Sequence, residues 1–359
     1  MKRILSLDGG GIRGVFSLQV LAAMEELFRR ERKRPDLVLA DEYDLFAGTS
    51  TGAIIATCLA WGMSVSQIEE LYLNCGSVIF TRERWYNRWK SKYRAEPITQ
   101  LFLREFAETP GGREPALLGS ERLRKLLLVV MRNASTGSPW PVTNNPHAAF
   151  NDPALPGCNL RIPIWQLLRG STAAPSYFPP ERIRLGDQSF LFVDGAITPF
   201  NNPTLIAVFM ATIPAYGLSW PTGREQIHVV SIGTCDTRAR LRQKSATDVN
   251  LRDVVLYVAP ALIDAISTEQ DYMCRVLGDC LHGAPLDSEV QALDAPSMLS
   301  AEEQKFTYVR YDQPFEAPVP GTDAEMDDLR LIPRLQALGR EYASSHVRRD
   351  HLYPRSNTR

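Results

Sequence analysis

Two short apolar segments near the start of the chain are each followed by a glycine-rich turn and then by residues with helical periodicity. The first unit consists of residues 3–7, the turn DGGGIRG at 8–14, and apolar residues spaced along one helix face. The second consists of residues 43–47, the turn GTSTG at 48–52, and the apolar run 53–61. Repeated strand, turn and helix units are typical of an α/β fold with a largely parallel sheet.

Later segments extend this pattern as far as residue 236. Strand candidates are residues 126–131, 190–193 and 227–232, and a helix is expected to begin near Asn202. The proline- and asparagine-rich run 139–156 predicts a surface loop.

The glycine turns stop after residue 237. The remaining sequence predicts helices around 248–270 and 326–343, with one alternating strand candidate at 305–311. We therefore predict two parts, a catalytic domain over 1–236 and an appended, mainly helical and regulatory region over 237–359.

Composition and charge narrow the class of protein only slightly. The chain has 40 Lys and Arg residues against 41 Asp and Glu residues, so its net charge of −1 gives no overall field to attract a nucleic acid polymer or an anionic membrane. Six scattered cysteines fit neither a zinc site nor a disulfide scaffold, which indicates reduced thiols in the cytoplasm. The N-terminal apolar run is too short for a signal peptide, and no uninterrupted stretch of about 20 apolar residues predicts a membrane span.

The Gly-x-Ser-x-Gly pattern places Ser50 between a predicted strand and a predicted helix. A serine on such a sharp turn has a strained backbone and presents its hydroxyl outward, and Gly48 and Gly52 remove side chains that would collide with neighbouring elements. The pattern alone is common by chance, but in this context it predicts a nucleophile. The following helix adds a positive end that would stabilise an alkoxide or oxyanion.

The first glycine turn has two interpretations. Gly9-x-Gly11-x-x-Gly14 after a strand also fits the dinucleotide-binding fingerprint, but that fingerprint expects an acidic residue about 20 positions later, where this chain has a basic helix end. Alternatively, the free N–H groups of Gly9, Gly10 and Gly11 form an oxyanion hole. An anion-binding turn beside a strained serine is what acyl transfer requires.

The general base is the missing part. His228 and His282 are positional candidates for a Ser-His-Asp triad, but a structural histidine is the simpler interpretation of each. Asp194, followed by Gly195 and Ala196 at the end of an apolar strand, lies where α/β sheets present side chains to ligands. On sequence pattern alone it could equally be a turn aspartate.

The three motifs together, DGGGIRG, GTSTG and Asp194-Gly195-Ala196, resemble the patatin-like phospholipase family. Two further strings fit as well, STAAPSYFPP at 171–180 and Asn201-Asn202-Pro203, so the resemblance covers residues 1 to about 235. It implies a three-layer α/β/α fold and hydrolysis of acyl esters of phospholipids or related lipids. It also implies a dyad of Ser50 and Asp194 without histidine, an oxyanion hole from the first glycine turn, and no metal or other cofactor.

The resemblance leaves several functional features open. Arg13 would either add a cation to the oxyanion hole or anchor the loop through an ion pair. The aromatic and basic stretch 82–94 predicts either a segment at the membrane interface or a partly buried helix with a charged face. The basic tail 346–359 reads as a disordered end rather than a binding arm.

The resemblance also suggests how such an enzyme would be used. The substrate would be a membrane phospholipid reached from the cytoplasmic side. Some bacterial patatin-like enzymes that this chain resembles are antiphage effectors that a cyclic nucleotide switches on to degrade the cell's own membrane. We therefore expect either a hydrolase of this kind, with a cyclic nucleotide activator and a homo-oligomeric active form, or a constitutive hydrolase of lipid metabolism.

Overall fold

The computed structural model of the protein describes residues 1–79, 92–235, 251–286, 297–315 and 327–354. The strands are β1 (Lys2–Leu7), β2 (Leu45–Thr49), β3 (Leu126–Asn133), β4 (Ser138–Thr143), β5 (Glu181–Leu185), β6 (Gln188–Asp194), β7 (Ile227–Ile232), β8 (Asp279–His282) and β9 (Thr307–Tyr311). The helices are α1 (Gly14–Arg32), α2 (Thr51–Trp61), α3 (Val65–Ile79), α4 (Glu96–Glu105), α5 (Ile164–Ser171), α6 (Thr204–Thr212), α7 (Leu251–Leu277), α8 (Ile332–His346) and α9 (Arg349–Leu352).

All nine strands form one sheet, in which the order along the main path is β5-β6-β3-β2-β1-β7-β9-β8 and β4 pairs with β3. The pairs from β3 to β8 along this path are parallel, and only the pairs that involve β4, β5 and β6 are antiparallel. This arrangement confirms the predicted α/β class with a largely parallel sheet.

The central strands are buried on both faces, which gives the fold its three layers. Alternate residues of a strand point to opposite faces, so Leu5 and Phe46 join one apolar cluster while Ile4 and Leu45 join the other. The first cluster contains the apolar sides of α1, α2 and α8, and the second contains α6. Because both faces are buried, consecutive residues of these strands are apolar, and their sequences do not alternate between apolar and polar residues.

The loop predicted over residues 139–156 is wrong at its beginning. Residues 138–143 form β4, which pairs antiparallel with β3. Pro139 and Pro141 have no N–H to donate, but β4 hydrogen-bonds to β3 alone, and an edge strand of this kind tolerates proline. The loop predicted from proline content therefore includes most of the strand β4.

The region after residue 236 is mainly helical where the structure describes it, but it is not a separate appendage. β9 pairs with β7, β8 pairs with β9, and both extend the catalytic sheet. α8 packs closely on α1, since a Cβ added at Gly339 would lie 2.8 Å from the Cβ of Gln19. The division predicted at residue 236 therefore does not separate two cores.

The C-terminal end of the described chain packs against the body of the protein. His351 and Leu352 are buried, and the ring of Tyr353 contacts the edge of Phe28 with ring centroids 5.5 Å apart. The Arg3 guanidinium donates a hydrogen bond to the backbone oxygen of Leu352. The prediction of a disordered tail is therefore wrong for residues 346–354, and 355–359 lie outside the described residues.

Two further observations concern membrane spans and cysteines among the described residues. Within the described ranges, no helix combines the length and the apolar character needed to cross a membrane. Among the cysteines that the structure describes, Cys158, Cys274 and Cys280 are free thiols.

Candidate active site

Ser50 lies on the sharp turn between β2 and α2. Its backbone φ of 54° and ψ of −123° fall in a region that residues other than glycine rarely adopt. A Cβ added at Gly48 would lie 2.2 Å from the backbone oxygen of Gly52, and one added at Gly52 would lie 2.2 Å from that of Leu7. Both positions therefore require glycine for the reason that the sequence pattern suggested.

β3 brings Asp194 to the serine. Its residue Val130 pairs with Thr49, the last residue of β2, and the next residue, Met131, pairs with Asp194, the last residue of β6. β6 thus continues along β3 from the point where β2 turns away at Ser50. The Ser50 hydroxyl donates a hydrogen bond of 2.7 Å to Oδ2 of Asp194.

The Asp194 carboxylate is held from its other side as well. Its Oδ1 accepts a 2.8 Å hydrogen bond from the backbone N–H of Ala196, and Gly195 between them has no room for a side chain, since an added Cβ would lie 2.4 Å from the backbone oxygen of Val130. Burial raises the pKa of Asp194 to about 6, while the Ala196 N–H and the Ser50 hydroxyl oppose the rise by stabilising the charged form. The carboxylate is therefore more basic than an ordinary aspartate, yet mostly ionised at neutral pH.

The first glycine turn passes directly beside the nucleophile, since a Cβ added at Gly9 would lie 3.2 Å from the Ser50 Cβ. The Gly9 N–H donates to the backbone oxygen of Asn201 at 3.1 Å. In the described part of the chain, the N–H groups of Gly10 and Gly11 donate to no protein acceptor. The prediction of three free N–H groups is therefore wrong for Gly9, and two candidate oxyanion donors remain.

Arg13 and Tyr72 donate hydrogen bonds to backbone oxygens of this turn. The Arg13 Nε donates to the backbone oxygen of Gly10 at 3.2 Å, and the Arg13 side chain is buried. The Tyr72 hydroxyl donates to the backbone oxygen of Gly11 and contacts the Thr51 hydroxyl at 2.8 Å. The anchor predicted for Arg13 was an ion pair, whereas this contact is a hydrogen bond to the backbone of the loop.

Sequence patterns missed a segment that holds both members of the dyad. The Ser171 hydroxyl accepts the N–H of Ser50 at 3.0 Å and donates to the backbone oxygen of Val130 at 2.7 Å. Two residues later, the backbone oxygen of Ala173 accepts the N–H of Asp194 at 3.0 Å. The STAAPSYFPP string contains Ser171, but nothing in its pattern indicated this contact.

The two histidine candidates lie far from Ser50. In the sheet register His228 is opposite Arg3, whereas Gly48 is opposite Leu7, so His228 lies four residues, or about 13 Å, towards the other end of the strands. It is fully buried, its Nδ1 is 2.9 Å from the Thr307 hydroxyl, and burial lowers its pKa to about 3.

His282 belongs to β8, four strands away from β2, which corresponds to about 19 Å across the sheet. It stacks on His351 with ring centroids 4.6 Å apart. Both histidines thus have structural surroundings away from the nucleophile.

Two other features remain to be placed. Most of the aromatic and basic stretch 82–94 lies outside the described residues, since 80–91 are not described. Across the described ranges, no three or more His, Cys, Asp or Glu side chains come close enough together to hold a metal ion.

Comparison with known proteins finds phospholipases that are similar in sequence to this chain. The chain is 29% identical over 235 residues to a cGAMP-activated phospholipase of Escherichia coli (strain TW11681), covering 65% of this chain and 62% of that protein. It is 29% identical over 215 residues to a cGAMP-activated phospholipase of Vibrio cholerae serotype O1, covering 57% and 56%. The chain thus spans about three fifths of the length of these curated relatives.

A plant protein and a solved structure are also similar. The chain is 27% identical over 325 residues to patatin-like protein 1 of Arabidopsis thaliana, covering 78% of this chain and 75% of that protein. The crystal structure of VipD from Legionella pneumophila aligns with 96% of this chain and 67% of its own, at 16% identity and a TM-score of 0.41. The family model described as patatin-like phospholipase matches residues 5–208, and the chain belongs to that family.

Proposed function

We propose that this protein is a serine acyl hydrolase of phospholipase A type that uses Ser50 and Asp194 to cleave acyl esters of membrane phospholipids. The observation that carries the proposal is the 2.7 Å hydrogen bond from the strained Ser50 to the buried Asp194 carboxylate. Family membership and the names of the relatives support the lipid substrate.

Acylation would proceed through a tetrahedral intermediate. Ser50 Oγ bonds to the ester carbonyl carbon while its proton moves to Asp194, and the carbonyl π electrons move onto oxygen. When the carbonyl reforms, the bond to the alcohol oxygen breaks and Asp194 returns the proton to the departing lysophospholipid. The fatty acyl group is then esterified to Ser50.

Deacylation repeats these steps with water. Asp194 accepts a proton from the water that attacks the acyl carbonyl, and Ser50 Oγ leaves as the fatty acid forms and regains that proton from Asp194. In both halves the negative oxygen would accept the N–H groups of Gly10 and Gly11 near the N-terminus of α2. Donors of this kind contribute on the order of 10²- to 10³-fold each in rate.

Fatty acid release from phosphatidylcholine and phosphatidylglycerol vesicles tests this proposal. We expect Ser50→Ala and Asp194→Asn to lower the rate at least about 100-fold, because each removes a group that reacts in both half-reactions. Asp187→Asn, an exposed aspartate in the turn between β5 and β6, is the matched control and should retain wild-type activity. Wild-type rates from both dyad variants would refute the proposal.

A histidine triad remains the rival mechanism to be tested. It requires that His228→Ala or His282→Ala abolish turnover while Asp194→Asn remains active. The sheet positions of both histidines and the burial of His228 favour the dyad instead.

We further propose that a cyclic nucleotide activates the enzyme at the cytoplasmic membrane surface as part of a defence response. The support is the similarity to two phospholipases named as cGAMP-activated, to which the match covers 62% and 56% of their lengths. A thermal-shift series with 3′,3′-cGAMP, cyclic di-GMP and cyclic di-AMP, read beside fatty acid release, tests this. No stabilisation and no activation by any of them would leave a constitutive hydrolase of lipid metabolism.

The homo-oligomeric active form is also a proposal. Light scattering with and without the activating nucleotide tests it, and a monomer under both conditions during turnover would refute it.

A further inference from the structure

A buried ion pair links the far end of the chain to the first glycine turn. Arg310 in β9 donates from Nη1 to Oδ1 of Asp8 at 3.0 Å and from Nη2 to Oδ2 of Asp8 at 2.6 Å. Both side chains are almost fully buried, with 5% and 1% of their surfaces exposed. Two parallel contacts between a guanidinium and a carboxylate fix direction as well as distance.

Arg310 is itself held in place by two further groups. Its Nη2 contacts Oδ2 of Asp312 at 2.7 Å, and its Nη1 donates to the Ser231 hydroxyl at 2.8 Å. Asp312 also accepts the N–H of Cys235 through Oδ1 at 3.1 Å. The guanidinium therefore joins β9, the end of β7 and the segment after β7 to the residue that precedes Gly9.

The position of Asp8 makes this ion pair relevant to the site. Glycines have no side chains to anchor them, so the direction of the Gly9–Gly11 backbone depends on the contacts of its own backbone groups with Arg13 and Tyr72 and on what holds the residues beside it. The Asp8 N–H donates to the backbone oxygen of Ile232 at 3.1 Å, and the Thr234 hydroxyl donates to that of Gly9 at 3.1 Å. The Asp8 side chain adds a charged, two-point contact to these backbone contacts.

The negative charge of Asp8 is a second reason why the ion pair with Arg310 matters for acyl transfer. A bare carboxylate one residue before the turn would oppose the negative oxygen that forms during acyl transfer, and in a buried site little solvent screens that repulsion. The Arg310 guanidinium compensates the Asp8 charge. Loss of Arg310 would therefore remove both the two-point contact with Asp8 and the positive charge beside its carboxylate.

We propose that Arg310 is a positioning residue for acyl transfer, acting through Asp8 to hold the Gly10 and Gly11 N–H groups towards the oxyanion. This inference rests on the proposed hydrolase function. Arg310 lies about 100 residues beyond the segment that the family model matches. The strand β9 thus contributes to the active site from a region that the catalytic motifs do not include.

The test compares Arg310→Met and Arg310→Lys with Arg275→Met. Arg275 is the matched control because it too forms a buried, two-point pair with an aspartate, Asp271, at 3.0 and 2.7 Å, and the contacts described for this pair do not include the glycine turn. Activity on p-nitrophenyl butyrate is divided by the number of active sites that a fluorophosphonate labels to completion, so that an unfolded fraction does not count.

We expect Arg310→Met to lower kcat per labelled site about 100-fold with KM within about 3-fold of wild type, because displaced donors act on the transition state. Arg310→Lys should keep the charge but lose the two-point contact, and lower kcat about 10-fold. Arg275→Met should stay within about 3-fold of wild type per labelled site, whatever its melting temperature. A kcat for the Arg310 variants equal to that of Arg275→Met would overturn the proposal.

Amide hydrogen exchange separates this failure from failure of the proposed function. The peptide that contains residues 8–14 should exchange at least about 10-fold faster in Arg310→Lys than in wild type or Arg275→Met, whether or not the protein hydrolyses esters. Unchanged exchange there would overturn the positioning role. Wild-type hydrolysis by Ser50→Ala would instead overturn the proposed function.

Discussion

Replacing Asp194 with asparagine should stabilise the folded protein while it removes activity. The structure places this carboxylate in a buried position, 2% exposed, where burial raises its pKa from 3.8 to about 6. Asparagine has nearly the same shape, its Oδ1 can accept the Ala196 N–H, and it carries no charge to bury. The variant therefore removes the cost of the buried charge and keeps the packing.

The magnitude follows from the pKa of Asp194. A difference of about two pH units between the folded and unfolded forms corresponds to about 3 kcal/mol. Because the carboxyl binds its proton more tightly in the folded protein, the folded state loses stability as the pH rises from 3.8 to about 6. Above that range the full loss is present, so Asp194→Asn should be more stable than wild type by up to about 3 kcal/mol at pH 8.

Urea unfolding of wild type and Asp194→Asn at pH values from 4.5 to 8 measures this difference. The advantage of the variant should shrink as the pH falls through 6, because the wild-type carboxyl becomes neutral as well. A variant that is less stable than wild type at pH 8, or an advantage that does not change with pH, would refute the reasoning. Asp187→Asn, which removes an exposed carboxylate, is the matched control.

Three other variants test single contacts of the site. Ser171→Ala leaves the Ser50 N–H without its acceptor, and a buried unpaired group costs about 1 to 3 kcal/mol. We therefore expect kcat on p-nitrophenyl butyrate to fall about 10-fold or more. An unchanged kcat would exclude Ser171 from positioning the turn that carries Ser50. Gly52→Ala places a Cβ 2.2 Å from the Leu7 backbone oxygen, so the purified variant should label with fluorophosphonate at less than about 1% of the wild-type rate, and wild-type labelling would contradict the elbow geometry. His228→Ala should lower the melting temperature but keep kcat per labelled site within about 3-fold, and a larger loss would favour a histidine mechanism.

The local parts of the site could be predicted because their physical cause lies within a few residues. Gly48 and Gly52 are needed by the turn that they flank, and the Asp194 carboxylate accepts the N–H of Ala196 two residues later. These requirements appear as motifs because turn geometry and residue type are adjacent in the chain.

The remaining parts depend on contacts between residues that are distant in sequence. The pairing of Val130 with Thr49, and of Met131 with Asp194, is set by strand register, and no motif encodes it. The hydrogen bond from Gly9 to Asn201 has the same origin, which is why Gly9 seemed available as a donor. The alternating residues of β9 predict a strand, but its pairing with β7, and hence the contact of Arg310 with Asp8, is not encoded in that pattern.

The most direct test of the dyad is the rate at which Ser50 itself is acylated. Rapid quenching of the enzyme with p-nitrophenyl butyrate, followed by peptide mass measurement, reports both the residue modified and the rate of modification. We predict a butyryl group on Ser50 in wild type and an acylation rate at least about 100-fold lower in Asp194→Asn, since the carboxylate that accepts the Ser50 proton is absent. A butyryl group on another residue, or acylation of Ser50 at the wild-type rate in Asp194→Asn, would contradict the proposed dyad.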